Sequence, residues 1–207
     1  MTEISTQHDL DTAAVDLARC DPRFGPILAQ TGPLPLRRAA GGFAGVLKIM
    51  MGQQVSTASA AAIWYRVRTA GLDNAAAWNN IADAQVLELG LSRPKLRYAR
   101  ALCDAAIPFD DLPNLSDAQV AGHLTAVTGV GPWTADIYLL SCLGRPDVFP
   151  TADLALQESA RVAFDLPTRP DAKHMAVLAA PWAPWRSVAA RALWSYYRIA
   201  KGKEGLA

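Results

Sequence analysis

Cysteine is scarce in this chain. Its 207 residues hold three, Cys20, Cys103 and Cys142, far apart and never in a C-x-x-C pair. Zinc ribbons and cysteine-ligated iron–sulfur clusters are thereby excluded. An excess of charge is also missing: 20 Lys and Arg stand against 19 Asp and Glu, a net charge of +1. With no global field to draw a polyanion, any nucleic-acid contact has to be built locally. Long apolar runs are absent too. Residues Ile49 to Tyr65 lack charge but are broken by Gln, Ser and Thr, so they do not resemble a membrane span. The first twenty residues contain acids and no apolar core segment, so no signal peptide is expected. Free thiols and these absences point to a cytoplasmic protein, nucleoid-associated if bacterial, with no membrane partner. His8, His123 and His174 are scattered, with neither a nucleophile nor a ligand pattern around them, and no Walker, dinucleotide or nucleophile-elbow signature occurs.

What is present reads as helix. Hydrophobic residues make up 51% and charged residues 19%, which allows a sizeable core without staples. The segment Arg93 to Ala106 sets Leu96, Ala99, Leu102, Cys103 and Ala106 at helical spacing. Ser56 caps a helix that stops at Gly71, and Ser116 caps another with Val120, Leu124 and Val127 on its apolar face. Strand-like alternation is hard to find. The expectation is an all-α protein of roughly eight to twelve helices. Proline- and glycine-rich Thr31 to Gly42 forms the clearest break, dividing an N-terminal helical segment (1–40), packed on the rest, from a core (41–207).

The stretch "VTGVGPWTADIYLL", Val127 to Leu140, joins two helical pieces through Gly129, Val130, Gly131 and Pro132. Pro at a first helical position gives up a donor that was spare, and glycines permit positive φ and bare the backbone. A helix start with exposed N–H groups favours an anion such as phosphate. A tight packing turn explains the same residues, and spacing alone does not separate the two.

Four ordered segments carry a resemblance: "LKIMMGQQVSTASAAAIWYRV", "LGLSRPKLRYARALCDA", the hairpin followed by "DVFPTADLALQ", and "WAPWRSVAARALW". Together, from Leu47 onward, they resemble the helix-hairpin-helix/Gly-Pro-Asp superfamily of DNA glycosylases, and in particular its 3-methyladenine DNA glycosylase II branch. The resemblance implies a two-lobed helical bundle with a DNA cleft between the lobes. It implies a monofunctional glycosylase that flips alkylated purines, 3-methyladenine foremost and 7-methylguanine beside it, out of duplex DNA and hydrolyses the N-glycosidic bond. An abasic site for base excision repair remains. The N-terminal β-rich domain of the bacterial type II enzyme is expected to be absent or much reduced.

Roles follow by resemblance. Asp153, just past the turn "GRPDVFPT" where Thr151 could cap the next helix, matches the catalytic aspartate. A carboxylate there would stabilise the oxocarbenium-like sugar and orient water. Asp136 and Asp147 read as ordinary solvated or capping carboxylates. Trp133 stands where bifunctional relatives keep a catalytic Lys, so strand cleavage is not expected; its face would stack on an extruded, cationic base. Trp194 matches a second pocket aromatic, while Ile137 and Ser195 replace tyrosines of the best-known branch. Gln53 and Gln54, read as opening a helix, occupy the wedge region, with Gln54 at the intercalating place. Gly129, Gly131, Thr134 and Lys95 match phosphate contacts. The carbonyls of Thr125, Val127 and Val130 match those holding Na⁺ or K⁺ in related motifs. No organic cofactor is implied, and a monomer is assumed. Two rivals stand beside this reading: a non-catalytic helix-hairpin-helix DNA-binding module, and a glycosylase of the same fold for another lesion.

Overall fold

A computed structural model describes residues 3–204, with side chains to Lys201. Among them are eleven α-helices, three short 3₁₀ turns and one π turn, and no strand. The chain forms two compact units. One comprises Met1–Arg38 with Gly144–Ala207, the other Ala39–Leu143. Arg38, where the first unit breaks off, lies within the proline- and glycine-rich stretch Thr31 to Gly42. The segment before it packs with the C-terminal third of the chain.

The first unit is built on its last helix. It contains α1 (Gln7–Cys20), α2 (Phe24–Thr31), α9 (Leu154–Ala163), α10 (Ala172–Ala179) and α11 (Arg186–Glu204). Val188, Ala189, Ala190, Ala192 and Leu193 of α11 are all fully buried, and Ser187 and Arg191 are buried with them, so its first half is enclosed nearly all round. The run of alanines lets α1, α2 and α9 pack closely against it. Trp182 is wholly buried among the rings of Phe24, Phe149 and Phe164, and its indole N–H donates to Asp21 Oδ2 at 2.9 Å. Arg23 grips the same carboxylate, holding its pKa below the usual range. Each such buried aromatic contributes about 1.5–3 kcal/mol by burial.

The second unit carries α3 (Gly42–Gly52), α4 (Thr57–Thr69), α5 (Asp83–Glu88), α6 (Arg93–Asp104), α7 (Asp117–Thr125) and α8 (Pro132–Tyr138). Helix α3 packs on α4, α6 and α8. Ser56, Ser92 and Ser116 cap α4, α6 and α7, the last in a full capping box with Gln119. The helix predicted from Arg93 ends at Asp104, two residues early, because Ala106 adopts φ +45° and turns the chain. Gly45 is where α3 approaches the end of α8: a Cβ there would sit 2.5 Å from the Ala40 carbonyl and 3.1 Å from Cys142 Sγ. Tyr138 crosses that contact and accepts a hydrogen bond from Gly42 N–H at 2.9 Å. Cys142 is buried and Cys20 exposed, and no disulfide joins any of the three cysteines; burial pushes the thiol of Cys103 up to about 11. No described helix is long and apolar enough to cross a membrane.

Candidate functional site

The hairpin joins α7 to α8 through Ala126 to Gly131. Its two glycines do different work. Gly129 has φ +91°, and an added Cβ would meet Tyr98 Cγ at 2.2 Å and Cβ at 2.7 Å, so the turn is closed under the Tyr98 ring. Gly131, expected to use positive φ as well, has φ −92° and ψ 175°, an extended N-cap geometry. Any residue could adopt that backbone. Nothing lies within 4 Å of where its Cβ would be, so it leaves the start of α8 open. Pro132 occupies the first helical turn, as the sequence predicts. The Val127 carbonyl accepts from Val130 N–H at 3.0 Å and keeps a second lone pair.

Helix α8 has two faces. Thr134, Ala135 and Tyr138 are buried. Trp133, Asp136 and Ile137, three and four residues apart, share the other face and are half-buried. Thr134, a predicted phosphate contact, is 1% exposed, and its hydroxyl accepts from Gln53 Nε2 at 2.7 Å. Its side chain therefore serves an internal tie between α8 and the end of α3. Asp136 is neither a cap nor a solvated carboxylate. It lies inside α8, and burial alone raises its pKa to about 6. The sequence offered a signal for it: no Lys or Arg lies within α8 to balance the charge.

The paired glutamines do not open a helix. Gly52 ends α3, Gln53 is its C-cap, and Gln54 takes φ +56° before Ser56 starts α4. Gln53 turns inward to Thr134, whereas Gln54 is exposed on a left-handed turn. For a non-glycine residue that conformation costs about 1 kcal/mol or more and is found disproportionately at functional positions. Lys95, also predicted to meet phosphate, donates from Nζ to the Met51 carbonyl at 2.6 Å; burial lowers its pKa. Its charge thus sits at the C-terminal end of α3, where the helix dipole favours a cation. Arg100 is likewise engaged, by Asp83 and the carbonyls of Trp78 and Ile81. Arg93 and Arg97 remain exposed on the same helix.

In the first unit, Asp153 is itself the N-cap of α9. Its Oδ1 accepts from Leu156 N–H at 3.0 Å and faces Trp194 Nε1 at 3.3 Å. Thr151, expected to cap, instead offers its carbonyl to Gln157 Nε2 at 3.0 Å. A cap fixes the carboxylate's rotamer, and the indole fixes it from a second direction. The loop before Asp153 is tied to the start of α11 in turn. Arg186 makes two bonds to Asp147, 2.6 and 2.8 Å, and the buried Ser187 Oγ accepts from Val148 N–H at 3.0 Å. The Trp-Arg-Ser segment therefore holds the loop carrying Asp153 against the helix carrying Trp194. His8, His123 and His174 are exposed. Among the described residues no three His, Cys, Asp or Glu side chains are grouped to hold a metal ion.

The described residues are thus helical throughout, with a glycine-closed hairpin in one unit and a capped, indole-braced aspartate in the other. The sequence profile of HhH-GPD superfamily base excision DNA repair proteins matches residues 47–184, and the chain belongs to that superfamily. It is 32% identical over 111 residues to a Bacillus subtilis protein named as a candidate DNA-3-methyladenine glycosylase, a match covering 52% of this chain and 39% of that one. An alkylbase DNA glycosidase-like protein of Schizosaccharomyces pombe is 26% identical over 208 residues, 95% of this chain and 98% of its own length. The fold is that of the S. pombe 3-methyladenine DNA glycosylase solved with abasic DNA. The TM-score is 0.80 at 21% identity, covering 92% of this chain and 97% of that one.

Proposed function

We propose that this protein is a monofunctional DNA glycosylase that hydrolyses the N-glycosidic bond of alkylated purines in duplex DNA. The observation that carries the reading is the carboxylate of Asp153, fixed by its own helix cap and by the Trp194 indole. Cleaving the base from the sugar leaves positive charge on the sugar, and a preorganised carboxylate stabilises it without reorganising. The same group orients the attacking water. A purine alkylated at N3 or N7 already carries a positive charge, so it departs without a general acid. Names of relatives, with 3-methyladenine or alkylated bases in them, support this substrate class.

Trp133 and Ile137 form the wall on which an extruded base stacks, and Trp133 leaves the chain without an amine for Schiff-base chemistry at that place. Gln54 fills the gap left in the duplex. The start of α8, open at Gly131 and shaped by the turn at Gly129, receives a DNA phosphate. The carbonyls of Thr125, Val127 and Val130 are suited to a Na⁺ or K⁺ ion, whose charge would supplement a hairpin without basic side chains. The chain acts as a cytoplasmic monomer.

The test is base release from methylated duplex DNA, with products separated by chromatography, for the native chain and Asp153→Asn. The native chain should free 3-methyladenine and leave an unbroken strand. Asn keeps a capping oxygen, so the variant should melt like the native chain yet lose at least about a hundredfold in rate, the scale of one lost electrostatic stabiliser. Intact DNA binding with no release from any alkylated, deaminated or oxidised duplex would leave only a binding module.

A further inference from the structure

We propose that Asp136 reads the charge of the extruded base: its carboxylate accepts a hydrogen bond from the exocyclic amino group of a cationic N-alkylated purine. It thereby separates such a base from neutral ones. The proposal rests on the glycosylase reading and deepens it, by naming the residue that recognises the substrate's charge.

Asp136 lies on the half-buried face of α8 together with Trp133 and Ile137, opposite the face that Thr134, Ala135 and Tyr138 bury. An aromatic ring beside an apolar side chain makes a surface for a flat heterocycle, and an indole face attracts a cation. A carboxylate on that surface supplies the opposite charge.

No described residue hydrogen-bonds or ion-pairs with Asp136, and α8 holds no Lys or Arg. Helix α8 packs against α3, α7 and the π turn (Leu139–Leu143). Their titratable groups, Lys48, Asp117, His123 and Cys142, contribute nothing to the raised pKa of about 6, whose sole cause is burial. A half-buried carboxylate without a counter-charge is costly, and folded proteins normally pair such groups. Here no described residue relieves the cost. A planar cation bound on the same face would. Asp153 contrasts with it throughout, since its Oδ1 is engaged by a cap and an indole.

Binding can be read without cleavage. The probes are 7,9-dimethyladeninium, a fixed cation, and neutral 9-methyladenine, titrated against tryptophan fluorescence of the full chain. At pH 8 the native chain should prefer the cation by about tenfold, roughly 1.4 kcal/mol. The preference should fade at pH 5, where Asp136 is protonated. Asp136→Asn should show a weaker preference that is the same at both pH values, and Asp136→Glu should keep part of the pH-dependent one. A native chain that fails to discriminate, or an Asn variant that discriminates equally well, would overturn the proposal. The pH dependence of the native chain suffices if the Asn variant does not fold. Because no bond is cut, a chain that binds the cation but releases no base would refute the glycosylase reading alone.

Discussion

The two carboxylates Asp153 and Asp136 sit in different units and are treated in opposite ways. Asp153 is engaged on one oxygen by its own cap and by Trp194, behind a loop fastened through Arg186, Asp147 and Ser187. Asp136 is half-buried and paired with nothing described. The contrast follows from the two tasks assigned to them. A group that stabilises a transition state gains from being immobile beforehand. A group that recognises a charged ligand gains from leaving its partner's place to the ligand, and the folded chain bears that cost until binding. The hairpin unit shows the same economy at Gln54, whose left-handed backbone is another local strain on an exposed residue.

The largest effect is expected from substitution at Gly129. Replacement by Ala brings a Cβ into the root of the Tyr98 ring, at 2.2–2.7 Å, and strains a backbone at φ +91°. The ring's base cannot swing away as a flexible chain end could. A loss of about 2–4 kcal/mol is expected, from overpacking and left-handed strain together. Chemical denaturation would measure it. Gly131→Ala should cost under about 1 kcal/mol, since its φ is ordinary and the space beyond is open. Equal losses at the two glycines would refute the separate roles given to them. A Gly131→Ala variant that folds but binds DNA poorly would locate the phosphate contact.

Asp136 offers a smaller, pH-dependent test. Its folded pKa is raised to about 6 from an ordinary value of 3.8, so the folded state favours the protonated carboxyl. The penalty for ionising it is absent below about pH 4, grows between pH 4 and pH 6, and is level above. Replacement by Asn removes the titration. The stability difference, Asn variant minus native chain, should therefore rise by about 1–2 kcal/mol in the variant's favour from pH 4 to pH 8. A difference independent of pH would mean that Asp136 is solvated or paired after all.

Much of this was legible in the sequence, for identifiable reasons. The starts of α4 and α7 were, because Ser56 and Ser116 cap through backbone groups three residues away in the chain. The Gly-Val-Gly-Pro turn was equally plain. Residues that reach across the fold were not. Lys95 and Thr134 match phosphate contacts by resemblance, but their side chains bond at the end of α3, to the Met51 carbonyl and to Gln53. Thr151 looked like the cap for α9 because Thr caps well, yet the chain places Asp153 at that position. Asp136 was passed over for want of a motif: its distinction is what does not surround it, and only packing reveals that.

Gln54 gives the mildest perturbation and the sharpest discrimination. Glycine suits φ +56° without a Cβ penalty, so Gln54→Gly should stabilise the fold by about 1 kcal/mol, or roughly 2–4 °C in Tm. The same substitution removes the side chain assigned to the duplex gap. Base release should then fall by about tenfold on paired substrate and hardly at all when the lesion faces a gap, where extrusion costs little. Gln53→Ala provides the counterpart. It frees the Thr134 hydroxyl from its tie and should weaken stability rather than the paired-to-gapped ratio. If Gln54→Gly stabilises the protein and leaves release from paired DNA untouched, the strain at this turn has no wedge to explain it. The insertion role would then pass to its exposed neighbour Val55, whose substitution by Ala is the next measurement.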